Sequence, residues 1–280
     1  MVIFLKKINH LKNYLYIYKY IDNSLNMANL KKNNVVVSYG IALTKKNNIN
    51  NIDTEYQLLF IKKRVTYAYI TFVKGIYNKN NDTELLKLFD NMTIEEKICI
   101  MSLNFNIMWH KLYLTLPYNR VALKDLSKFE NSKTKFEKRF LYDEGRRLLK
   151  LIKNTKSIDN LWEIPKGMVN RNESDINAAI REFNEETNIK KNKYKILYNI
   201  EPLVYVFNDD NTTYKYVYYL AVMLDNKYTP NIELDLTRSS IMESIDIKFL
   251  NIIEISMITK NKAFIKFVKK IFKLTKSYNV

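Results

Sequence analysis

A chain of 280 residues with 47% hydrophobic and 13% aromatic content has the size of an ordinary soluble protein with one large core or two modest ones; its single cysteine, Cys99, excludes an internal disulfide framework and points to a reducing compartment. No apolar run approaches the ~20 residues needed to span a bilayer, and the opening Met-Val-Ile-Phe-Leu is too short for a signal-peptide core, so cytoplasmic residence is expected. The formal net charge of +17 favours a polyanionic partner such as RNA, although a strongly A+T-biased genome would enrich the same Lys, Asn, Ile and Tyr residues without any such partner.

Residues 1–34 read as a polar lead-in rich in Tyr and Lys, with a helix near Leu5 to Ile21. Val35 to Leu43 is β-branched, and Tyr56 to Lys62 is a second strand candidate; the Asn- and Lys-rich run between them makes the pair a hairpin with a long loop. From Val65 to Ser157 the pattern becomes helical. Thr83 to Phe89 follows Asp82 as a short helix, Thr93 and Glu96 have the capping-box spacing that starts a second helix to Leu103, and Phe105 to Tyr113 is a third. Phe136 to Ile152 supplies a longer amphipathic helix. Strand patterns resume at Tyr194 to Phe207 and Thr213 to Leu224, around the turn signal Asn208 to Asn211, with a further strand at Ile245 to Phe249. Ala263 to Leu274 closes the chain as a basic amphipathic helix. The expected fold is an α/β/α sandwich with a mixed sheet, built from residues 35–64 and 158–280 and interrupted by a helical insertion at 65–157.

The stretch from Gly167 to Ile189 carries the chemistry. At 3.6 residues per turn Glu182, Glu185 and Glu186 share one helix face, while Ile176, Ala179, Ile180 and Phe183 form a separate apolar face for burial. Three crowded carboxylates repel one another unless a hard cation offsets the charge, and oxygen-only ligation suits Mg²⁺ or Mn²⁺. Glu173, just before the helix, is placed to fold back onto Arg181 and fix the loop from Gly167, whose carbonyl would then face the same ion. Taken alone, the three glutamates would equally suit a solvated acidic face.

The full pattern, Gly167, Glu173, Arg181, Glu182, Glu185 and Glu186, resembles the Nudix box G-x5-E-x7-R-E-U-x-E-E-x-G-U at every fixed position except the last glycine, where Asn188 stands. Asn tolerates the left-handed conformation that ends a helix, so the departure is mild. Arg64 to Tyr77, Leu85 to Phe89, Met92 to Glu96 and Phe105 to Trp109 are similar to the helical insertion of Nudix mRNA-decapping proteins of large cytoplasmic DNA viruses, of the African swine fever virus and giant-virus type and more distantly the poxvirus type.

That resemblance implies attack of a metal-activated water on a pyrophosphate bridge, with Glu182, Glu185, Glu186 and the Gly167 carbonyl as ligands and Glu173 and Arg181 as supports. One of these glutamates would double as base, or a further acid would come from Glu243, for which Glu233 and Glu254 compete. Lys166, in Trp162-Glu-Ile-Pro-Lys-Gly167, would contact substrate phosphates or be an exposed turn lysine. Trp162 would stack on a base or plug the core beneath the box.

Capped RNA is the implied substrate, with 7-methyl-GDP and 5′-monophosphate RNA as products in a host cytoplasm. The helical insertion would bind the RNA body, with Arg64 and its neighbouring lysines as substrate contacts. Diphosphoinositol polyphosphates or dinucleoside polyphosphates are the alternative substrates. A non-catalytic RNA-binding protein is the third reading. The sequence leaves the oligomeric state open.

Overall fold

In a computed structural model of the protein, the described residues are 34–47, 55–78, 81–113, 123–158, 161–209, 212–230 and 244–278. The expected lead-in helix, Glu233 and Glu243 lie outside them. The chain divides into two compact units, one formed by residues 63–162 and one by the segments on either side.

The flanking segments form the sheet unit. Its strands are β1 (Asn34–Lys46), β2 (Tyr56–Lys63), β3 (Trp162–Glu163), β4 (Lys166–Gly167), β5 (Tyr194–Ile196), β6 (Leu203–Asp209), β7 (Thr212–Met223) and β8 (Ser244–Leu250), the ends of β2 and β3 reaching the division. β1 is central. It runs parallel to β7 from Asn34 opposite Thr212 to Thr44 opposite Val222, and antiparallel to β2 and to the short β4. β5 and β6 both pair antiparallel with β7, at its two ends. The sheet is therefore mixed, and its α/β class is as expected.

The two faces of β1 explain the layers, because successive side chains of a strand point to opposite sides. Ile41 and Leu43 face Ala179 and Phe183 of the helix Asp175–Thr187, in a core completed by Leu59, Ile61, Ala221 and Phe249. On the other face Thr44 meets Thr275 of the C-terminal helix Lys262–Tyr278, their hydroxyl oxygens 3.2 Å apart. The same helix packs Phe264 and Phe267 against Tyr205, and Phe267 against Tyr218.

Two expected elements are divided. Tyr194 to Phe207 is two strands, because the chain turns at Leu197, whose carbonyl accepts the Ile200 amide, and because Pro202, just before β6, has no N–H for a ladder. A further helix, Ile252–Ile258, was not read from the sequence; its cap Asn251 and Glu254 form a capping box, so Glu254 is committed to that helix.

The helical unit contains α1 (Tyr67–Val73), α2 (Asp82–Asp90), α3 (Ile94–Met101), α4 (Phe105–Tyr113), α5 (Leu123–Phe140) and α6 (Arg146–Lys153). The sheet unit adds α7 (Asp175–Thr187), α8 (Ile252–Ile258) and α9 (Lys262–Tyr278). α3 starts at the expected box, with Thr93 and Glu96 exchanging hydrogen bonds. Glu96 also accepts from the Thr66 amide and hydroxyl and so ties the start of α1 to that of α3. The expected helix Phe136 to Ile152 is broken at residues 141–145, where Glu144 and Gly145 adopt positive φ and α6 begins anew. Phe72, Phe89, Phe105, Phe129, Phe136 and Phe140 form a ring-on-ring core in this unit.

α7 ends at Asn188, at φ 56° and ψ 15°, the left-handed cap the substitution for glycine requires. Asn188→Ala should lower stability by roughly 1 kcal/mol and Asn188→Gly should leave it within about 0.5 kcal/mol, because only the former adds left-handed strain. Urea denaturation of the two variants checks this; equal loss in both would place the strain elsewhere.

Candidate active site

Ser174 caps α7 by accepting from the Asn177 amide, and the apolar face of the helix fixes its roll against β1. An adjacent face, about a third of a turn round the helix, carries the acids. Glu182 and Glu186 are buried, 8% and 3% exposed, whereas Glu185 lies at the solvent edge.

Arg181 organises the loop before the helix. Its guanidinium holds Glu173 at both carboxylate oxygens, each 2.9 Å away, and donates to the Met168 carbonyl at 2.9 Å. Glu173 in turn accepts from the Asn170 amide at 3.0 Å. The expected fold-back of Glu173 onto Arg181 is therefore present. Arg181 also reaches Glu182 at 2.6 Å and Glu185 at 3.2 Å. Burial opposes its charge, but Glu173, Glu182 and Glu185 outweigh that and hold the guanidinium above its ordinary pKa.

Hydrogen bonds from Arg181 are the main reason the Glu173 carboxyl titrates below its usual range, against the opposing effect of burial. A lowered folded pKa contributes stability that is present above the unfolded carboxyl pKa and is lost as pH falls through the folded one. Glu173→Gln should remove about 1–2 kcal/mol at neutral pH and flatten the acid limb of the stability curve. Chemical denaturation from pH 7 to pH 3 measures this; an unchanged acid limb would show that the pair adds nothing.

Gly167 is where β4 meets the helix. A Cβ there would lie 2.0 Å from the Glu182 carboxyl carbon and 2.1 and 2.4 Å from its oxygens, so only glycine lets the loop approach that carboxylate. Gly40 does the same on β1, where a Cβ would meet the Pro165 carbonyl oxygen at 2.1 Å. These two glycines let β4 and the residue before it approach β1 and α7 closely. The Lys166 amide then donates to Glu186 at 2.9 Å.

Lys166 is an expected substrate contact. Its ammonium pairs with Glu163 at 2.8 Å and lies 4.6 Å from the centre of the Tyr216 ring. The Tyr216 contact was not anticipated, because the two residues are brought together only by β4 and β7 flanking β1. Trp162 and Arg64 belong to the helical unit. Trp162 is half-buried, and Arg64 donates to the Lys111 and Leu112 carbonyls at the C-terminal end of α4.

Among the described residues, no three acidic, imidazole or thiol groups stand together as a ready metal site. The box carboxylates are divided between Arg181, which holds Glu182 and Glu185, and the Lys166 amide, which holds Glu186. The donor chemistry nevertheless fits a hard divalent cation. Glu182 and Glu186 are buried carboxylates one helical turn apart, the Gly167 backbone lies against the first of them, and Glu185 supplies a third oxygen donor from the rim.

A NUDIX-domain family profile matches residues 139–264. The mRNA-decapping protein g5R of African swine fever virus is 33% identical over 230 residues, which cover 81% of this chain and 88% of that protein. The same protein from a warthog isolate is 33% identical over 229 residues, 81% and 89% of the two chains. Among solved structures, a C. elegans Ap4A hydrolase binary complex aligns with TM-score 0.42 and 12% identity over 86% of this chain and 98% of that one.

Proposed function

This chain belongs to the Nudix family of hydrolases, enzymes that act on phosphoanhydride bonds, and on that premise we propose that it removes the 5′ cap of mRNA. The observation that carries the reading is the extent of the likeness to the viral decapping proteins. A match over 81% of the chain cannot be confined to the sheet unit and must include part of the helical one. The products would be 7-methyl-GDP and RNA with a 5′-monophosphate, and the site of action the cytoplasm of an infected host.

Glu182, Glu185, Glu186 and the Gly167 carbonyl would hold Mg²⁺ or Mn²⁺. When bound, the cation supplies acidity for the attacking water and offsets charge on the phosphoryl oxygens. The protein groups do the rest. Arg181 and Glu173 keep the loop in place, and the loop keeps the Gly167 backbone on Glu182. Lys166, whose ammonium is 10% exposed and tethered to Glu163, would exchange that carboxylate for a substrate phosphate. Glu185, at the open edge, is suited to accept a proton from water, with Glu243 as the second candidate. The helical unit, with Arg64, would carry the body of the transcript, where phosphate contacts set affinity without reading sequence.

The test is a substrate panel of cap-labelled long RNA, free cap dinucleotide, a dinucleoside polyphosphate and a diphosphoinositol polyphosphate, each with Mn²⁺. Long capped RNA should have the highest kcat/KM. Preference for either small polyphosphate class would overturn the proposal, and RNA binding without hydrolysis of any substrate would make the protein a non-catalytic binder.

A further inference from the structure

α9 carries its charge on one side only. Its sequence holds six lysines, Lys262, Lys266, Lys269, Lys270, Lys273 and Lys276, and no aspartate or glutamate. At about 100° per residue the six fall within about a third of the helix circumference. All six are exposed, and the row from Lys262 to Lys273 spans about 16 Å along the axis. The opposite side is occupied, because Phe267, Val268 and Ile271 are buried and Phe267 packs on Tyr205 and Tyr218. Of the six ammonium groups only that of Lys276 has a carboxylate partner among the described residues, Glu55 at 3.0 Å. A packed helix therefore fixes the direction of a row of cations that no acid offsets.

The helix before it has the reverse character. α8 reads Ile-Ile-Glu-Ile-Ser-Met-Ile, and Ile255 is its buried residue. Ile253 and Met257, one turn apart, are 45% and 78% exposed. The one acid of α8, Glu254, is taken up by the cap. Thr259, Lys260 and Asn261 alone separate α8 from α9, which sets the apolar pair at the head of the lysine row. A phosphate polymer would be served by the lysines and gains little from an isoleucine and a methionine held out in water. A bilayer with anionic headgroups uses both, since ammonium groups meet the headgroup charge and apolar side chains enter the boundary with the acyl chains. Such binding stays on the surface, in keeping with the lack, among the described residues, of a helix long and apolar enough to cross a membrane.

We infer that the lysine face of α9 and the exposed Ile253 and Met257 of α8 form one docking surface for an anionic lipid membrane. α9 lies on the face of the sheet opposite α7, so this surface sets where the protein works and leaves the acids to the chemistry. The inference does not depend on the cap-cleaving reading.

Co-sedimentation of the full chain with lipid vesicles tests it. Wild type should sediment with vesicles of phosphatidylcholine and phosphatidylserine and stay in solution with phosphatidylcholine alone. Lys266→Gln, Lys269→Gln and Lys273→Gln together should weaken binding roughly 10²-fold, because each lysine near an anionic surface contributes about fivefold. Ile253→Ser with Met257→Ser should weaken it roughly tenfold at unchanged net charge. The same loss of charge at Lys190, Lys191 and Lys193, exposed lysines that follow α7, is the control and should cost much less. Equal losses in the two lysine triples would mean adhesion governed by net charge and would overturn the surface, as would serine variants with wild-type binding. Acetylation footprinting of wild type needs no variant. Vesicles should protect Lys266, Lys269 and Lys273 and leave Lys190, Lys191 and Lys193 reactive; equal labelling of both sets would overturn the proposal. An uncapped single-stranded RNA is the competing ligand. If wild type ignores the anionic vesicles while the α9 glutamine triple loses RNA affinity, the row is a nucleic-acid track and the lipid proposal falls.

Discussion

Glu186→Gln is expected to lower kcat on capped RNA by roughly 10³-fold while leaving the melting temperature within a few degrees of wild type. On the proposed role of Glu186 as a ligand, a bound cation would contribute several kcal/mol to phosphoryl transfer, and each 1.36 kcal/mol is tenfold in rate. The substitution removes the charge and keeps the shape. Its amide oxygen can still accept from the Lys166 N–H, as Glu186 does at 2.9 Å, so the packing of β4 on α7 survives. Relief of a buried charge, 3% exposed, would even favour the folded state. Loss of activity with retained or raised stability is thus the signature of a functional carboxylate. Steady-state kinetics and thermal melts on the same preparation measure both, and activity within threefold of wild type would show that Glu186 does not serve the reaction.

Gly167→Ala should damage both the site and the packing of the loop on α7. The added carbon would fall 2.0 Å from the Glu182 carboxyl carbon, and that carboxylate cannot simply swing aside, since Arg181 holds it at 2.6 Å and it is 8% exposed. Either the loop lifts away from α7 or Glu182 leaves Arg181. Overpacking of this kind costs about 1–3 kcal/mol, and a displacement near 1 Å at a reacting centre can cost about 10²-fold in rate. Excess Mn²⁺ should raise the melting temperature of wild type, because a ligand bound only by the folded state stabilises it, and should raise that of Gly167→Ala much less. Gly167→Ala with wild-type kcat and an undiminished Mn²⁺ response would mean that the approach of the loop to Glu182 is incidental.

What was legible in the sequence was local. β1, β2 and α4 announce themselves through β-branching or helical spacing, and α4 runs over the expected Phe105 to Tyr113. The Glu173 and Arg181 pair, the apolar face of α7 and the left-handed Asn188 all depend on residues within one helix and its entry loop. Longer-range features were hidden for a physical reason. The helical period of Phe136, Phe140, Leu148 and Ile152 continues across the break at residues 141–145 because both helices face one core, so only the backbone at Glu144 and Gly145 reveals two helices. The division between β5 and β6 was masked because both strands are apolar and both pair with β7.

The site follows the same rule. Spacing placed Glu182, Glu185 and Glu186 on one helix face but could not tell that two would be buried and one exposed. The meeting of Lys166 with Tyr216 depends on β4 and β7 both lining β1 at Gly40, a register no local pattern encodes. Glu243, outside the described residues, stays a proposal from the sequence alone, while Glu254 is accounted for as a helix cap.

The central claim is that the α7 acids cleave the pyrophosphate bridge of an RNA cap, and product identity tests it most directly. Wild-type protein with Mn²⁺ and RNA labelled in its cap should release the label as 7-methyl-GDP and leave RNA bearing a 5′-monophosphate. No labelled release, or release as 7-methyl-GMP, would contradict the account.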